Sequence, residues 1–89
     1  MARLDLGHQD IAALAPNLDT GEAFYELGMM HAVGRSVPVD LVAAHKWLNV
    51  AVAKGCRAAV ARRAELSAEM TRDEIAAAQR DARLFLTGR

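Results

Sequence analysis

Apolar residues recur along the chain at helical spacing, in segments punctuated by glycines and prolines. From Thr20 to Val33, Phe24, Leu27, Gly28 and His31 stand at i, i+3, i+4 and i+7, one face of a predicted helix. Asp19 reads as its N-cap, with Glu22 in the reciprocal capping position, and Gly34 as the left-handed residue that ends it. Gly28 inside a helix costs about 1 kcal/mol against alanine, so it should lie where a second helix comes close. That second helix is predicted over Leu41–Lys54, capped by Asp40, ended by Gly55, with Ala44, Trp47, Leu48 and Ala51 on its buried face. The loop between the two holds Pro38, and the pair reads as a helical hairpin over residues 20–55.

Two further helices follow. The third is predicted over Arg57–Glu69, within a closing segment 57–70. Val60, Ala64 and Ser67 form one line on it, Ala59, Leu66 and Met70 another, and Arg63 between them snorkels over apolar surface. The fourth, over 72–86, has the clearest start in the chain: Thr71-Arg72-Asp73-Glu74 is a capping box. Its apolar stripe is Ile75, Ala78, Ala82, Phe85 and Leu86. Residues 1–18 are an N-terminal arm or short helix, in which Leu4, Leu6, Ile11 and Leu14 favour packing over exposure, with a stop before Pro16. Residues 19–89 form one small domain. The expected fold is all-α: a short α-α solenoid fragment, one hairpin plus two closing helices and the arm.

Composition narrows function mainly by exclusion. An alanine-rich chain of 89 residues with one cysteine has no internal disulfide framework and no cysteine-rich metal site. The net charge is zero, which argues against a general nucleic-acid binder. The charge is polarised, however: residues 1–34 hold Arg3 against five carboxylates, and 35–89 hold ten basic groups against six acidic ones. Such polarity suits an oppositely charged partner or a second copy. No apolar run approaches a membrane span of about 20 residues and no apolar leader opens the chain, so the expectation is a cytoplasmic protein without membrane contact.

Candidate chemistry is sparse. Cys56 stands at a predicted helix start, where a thiol pKa can fall, but no nucleophile signature surrounds it. His8, His31 and His45 are scattered without metal-ligand spacing, His31 reading as a partly buried packing residue and His45 as a surface one. Asp73 and Glu74 are explained by the cap, and no glycine-rich phosphate loop is present. No metal or cofactor is expected.

Ala23-Phe24 recurs as Ala59-Val60, an offset near the period of helix–turn–helix repeats. Around it stand Ala23, Leu27-Gly28, Gly34, Val37, Asp40, Ala44, Trp47, Ala51 and Gly55. This set resembles the Sel-one-like repeat, a relative of the tetratricopeptide repeat. Ser36 departs from it where a second loop glycine is usual, and His31 where a tyrosine is usual. The resemblance implies a non-enzymatic adaptor or scaffold that holds another protein or forms a homodimer. It places Glu22, Tyr25, Met29, Ala32 and Val33 on the partner-binding side of the first helix. Tyr25 and Met29 suit contact, one rigid and amphipathic, the other adaptable. Alternatively, they pack on the arm or on another copy. A second hypothesis is a small redox sensor or enzyme using Cys56, and a third is a component of an envelope or secretion assembly.

Overall fold

The computed structural model describes residues 19–88, so the expectations for residues 1–18 lie outside the described residues. Four helices are present and no strand among the described residues: α1 (Gly21–Val33), α2 (Leu41–Ala53), α3 (Ala58–Ser67) and α4 (Arg72–Thr87). The fold is all-α.

The helix boundaries follow from local chemistry, with one correction. Thr20, not Asp19, is the N-cap of α1: its backbone is extended and its hydroxyl accepts the Ala23 N–H at 3.1 Å. This shifts Glu22 to the second helical position, out of reach of a capping box. Asp19 instead meets Lys54 Nζ at 3.1 Å, tying the start of α1 to the end of α2. Asp40 caps α2 as expected, accepting the Ala43 N–H at 3.0 Å. At α4 both halves of the capping box form: Glu74 N–H donates to Thr71 Oγ1 at 3.1 Å, and Thr71 N–H donates to Glu74 Oε1 at 2.9 Å.

The α1–α2 loop needs two left-handed residues. Gly34 takes φ 79° and closes α1 through its N–H to the Met30 carbonyl at 2.9 Å. Ser36 takes φ 70°, the conformation glycine adopts without penalty, and a side chain there is strained by about 1 kcal/mol or more.

In the packing, α2 is the central helix. α1 lies antiparallel against it, and α3 and α4 cover other parts of its surface while scarcely touching each other. Gly28 lies under α2 as predicted, since a Cβ there would come within 2.9 Å of Leu48 Cδ2 and 3.1 Å of the Ala44 carbonyl oxygen. Ala44, Trp47, Leu48 and Ala51 are buried, and Val50 and His45 join them. His45 is 1% exposed, which overturns its reading as a surface residue. A helix with neighbours on several sides has little solvent face to offer.

Two apolar clusters result. Leu48, Ala51 and Ala59 form one, with Phe24, Tyr25, Val52, Cys56 and Leu66 against it. Trp47, Val50 and Ala82 form the other, with Phe24, Leu27 and Phe85 against it. In the second, Phe24 stacks on Trp47 at 5.5 Å, and Phe85 meets both rings edge-on, at 5.4 Å from Phe24 and 4.9 Å from Trp47. Each such pair adds about 0.5–1.5 kcal/mol beyond its buried area. Leu86 leaves the predicted stripe and is exposed, as is Val60, so Val60 does not reproduce the packed role of Phe24 at the repeat offset.

Candidate interaction surface

Glu22, Tyr25, Met29, Ala32 and Val33 run along one side of α1, beside Gly28, which faces α2, and away from Phe24 and Leu27, which face the α4 cluster. Glu22 and Val33 are exposed at the two ends of the helix, and Tyr25, Met29 and Ala32 between them are half-buried. Tyr25 rests its ring on the Leu48–Ala51–Ala59 cluster. Its hydroxyl is the first influence holding the Arg62 guanidinium above its ordinary pKa, with Glu65 second. Tyr25 thus makes a core contact with the cluster that α2 and α3 share.

Two adjoining clefts open beside the start of this face. One of about 600 Å³ is lined by Thr20, Glu22, Ala23, Tyr25, Glu26, Cys56 and Ala58. The other, of about 450 Å³, runs past Lys54, Gly55 and Arg57. Cys56 lies half-buried between them. Its Cβ occupies the space left by Gly21, where an added Cβ would approach to 2.9 Å, and its N–H donates to the Ala51 carbonyl at 2.9 Å. Those contacts explain a small residue at this position by packing. The cleft on the other side of the hairpin, about 380 Å³, is lined by Lys46, Trp47, Asp81, Leu84 and Phe85, with Lys46 Nζ over the Trp47 ring at 4.1 Å.

His31 is half-buried, with Nδ1 enclosed and without a hydrogen-bond partner. His45 is organised quite differently, as part of a polar cluster between α2 and α3. Arg63 donates to Asn49 Oδ1 at 2.9 Å. Arginine can only donate, so Asn49 must turn its NH₂ toward His45 Nδ1, 3.0 Å away. Nδ1 thereby accepts, and the neutral imidazole carries its proton on Nε2, which donates to Ser67 Oγ at 2.9 Å. The Ser67 hydroxyl in turn donates to the Arg63 carbonyl at 3.0 Å, and the circuit closes on the residue where it began. Burial first, and the Arg63 charge second, hold His45 below its ordinary pKa.

Ser67, His45 and Asn49 have the contacts of a nucleophile, a base and an orienting group. The direction of the bonds is reversed, however. A general base must accept the nucleophile's proton, whereas His45 donates to Ser67. In this state the cluster fastens two helices. Among the described residues, no group of three or more His, Cys, Asp or Glu side chains is placed to hold a metal ion, and no helix is long and apolar enough to cross a membrane.

Sequence reasoning missed the cluster, although a signal was present. His45 and Asn49 stand at i and i+4, and so do Arg63 and Ser67. Two such polar pairs on neighbouring helices can face one another. A comparison with protein-family models, curated proteins and solved structures found no match for this chain.

Proposed function

We propose that this chain is a non-catalytic protein-interaction module, a short helical unit that holds a partner protein or a second copy through the α1 face of Glu22, Tyr25, Met29, Ala32 and Val33. The observation that carries the reading is the state of that face. Its central residues are half-buried rather than enclosed, and Glu22 and Tyr25 line an open cleft of about 600 Å³. A rigid amphipathic tyrosine beside a flexible methionine is a combination that suits recognition of another protein.

The resemblance to Sel-one-like repeats supports the same reading, and Ser36 adds to it. At the position where that family's loop has a second glycine, Ser36 keeps the left-handed backbone of a glycine. That backbone is one a glycine would adopt there, which is in keeping with the resemblance. Such a module would work in the cytoplasm, consistent with its lone thiol.

Light scattering against concentration, with thermal unfolding followed by circular dichroism, tests the proposal on Tyr25→Ala plus Met29→Ala. Loss of dimerisation, or of binding to a partner recovered by co-purification, with a smaller loss of stability is the expected result. If the double change unfolds the protein yet leaves association per folded molecule intact, the two residues are core and the reading fails.

A further inference from the structure

Apolar contact holds α3 only lightly. Ala59 is its one fully buried residue and Leu66 is half-buried, while Val60, Ala61 and Ala64 are exposed and no side chain caps its first turn. What otherwise joins it to α2 is the directed circuit through Arg63, Asn49, His45 and Ser67. We propose that this circuit is an acid-opened latch: protonation of His45 at Nδ1 breaks it, frees α3 from the hairpin and uncovers the apolar strip of Tyr25, Leu48, Ala51 and Val52.

The chemistry leaves the added proton no accommodation in place. A proton taken from solvent onto Nδ1 sets N–H against the Asn49 NH₂, donor against donor. Flipping the Asn49 amide would relieve that clash, but it would turn NH₂ toward the Arg63 guanidinium and create the same clash there. The imidazolium would also be a second cation beside Arg63. Among the described residues, no carboxylate is hydrogen-bonded or ion-paired to His45. On α3, Arg62 is engaged with Glu65 at 2.9 Å, and on α2 itself Lys46 is held over Trp47 and Phe85, toward α4. On α1, Glu26 lies 3.6 Å from Arg35, and on α4 Glu74 accepts the Thr71 N–H in its own cap.

The sign of the pH effect follows. The folded-state pKa of His45 lies below the ordinary 6.5, so its contribution to stability is complete above pH 6.5. It is lost as the pH falls from there through the folded-state value.

Histidine titration by NMR on the full chain, with hydrogen-exchange protection factors measured from pH 7.5 to 5, tests the latch. His45 should titrate below 6.5, and α3 amides should lose protection by tenfold or more in step with it while α1 and α2 keep theirs. Arg63→Met frees Asn49 to turn Oδ1 toward a protonated His45. It should raise the titration midpoint, because a like charge is removed, and uncouple it from α3. His45→Gln should remove the acid sensitivity of α3. The proposal is overturned if His45 titrates normally with α3 protection unchanged, if R63M leaves the midpoint unmoved, or if α3 releases at the same pH in H45Q.

Discussion

Replacing Gly28 by alanine sets two effects of similar size against each other. In an isolated helix the change stabilises by about 1 kcal/mol. Here the new Cβ would lie 2.9 Å from Leu48 Cδ2, 3.0 Å from Leu48 Cγ and 3.1 Å from the Ala44 carbonyl oxygen. Leu48 is fully buried and has little room to turn away, and the carbonyl belongs to the α2 backbone, so relief requires α1 to move as a whole. Overpacking of this kind costs about 1–3 kcal/mol. The net expectation is a destabilisation of about 1 kcal/mol, or a fall in Tm of roughly 4–8 °C for a domain of this size. Urea unfolding followed by circular dichroism measures it, and a double-mutant cycle with Leu48→Ala isolates its cause. Leu48→Ala alone should cost about 2–5 kcal/mol. In that background two of the three close contacts are gone, so Gly28→Ala should become neutral or stabilising, with a coupling of about 1 kcal/mol or more. If Gly28→Ala stabilises the otherwise unaltered chain by its full helix propensity, the close approach of α1 and α2 is refuted.

Phe85→Ala should destabilise by about 2–3 kcal/mol, less than a fully buried ring, since it removes a half-buried ring that touches both Phe24 and Trp47. Trp47 fluorescence should shift to the red as α4 loosens, and an unshifted spectrum at full stability would contradict the packing described. Thr71→Ala should cost about 1 kcal/mol by removing one side of the α4 capping box, read as a lower urea midpoint at unchanged slope.

Much of the fold was legible because it is written in local chemistry. The Thr71–Glu74 box, the Asp40 cap and Gly34 each act within one turn of helix, and the structure places all three where the pattern put them. The start of α1 was misplaced because Asp19 and Thr20 are both good caps. Which of them serves depends on a distant residue: Lys54 takes the carboxylate of Asp19. The burial of His45 was hidden for a related reason. Polar positions on α2 read as a solvent face, yet here they meet polar positions on α3, and hydropathy cannot distinguish matching polar faces from water. For the candidate surface, periodicity separated Tyr25 and Met29 from the Phe24 face, but it could not show that Tyr25 also packs on the Leu48–Ala51–Ala59 cluster that α2 and α3 share.

The aromatic trio of Phe24, Trp47 and Phe85 also has a consequence for the order of folding. It draws one ring from α1, one from α2 and one from the end of α4. The α1–α2 hairpin closes over a short loop and can form early, but its second apolar side stays wet until the segment most distant in sequence returns to it. Bringing that segment back carries the largest loop-closure entropy of the helix contacts described, of the order of 3–4 kcal/mol. That cost favours docking of α4 after the hairpin has closed. With α4 undocked, Phe24 and Trp47 would be an exposed apolar edge, so conditions that delay α4 should favour association between incompletely folded chains over association of the finished domain.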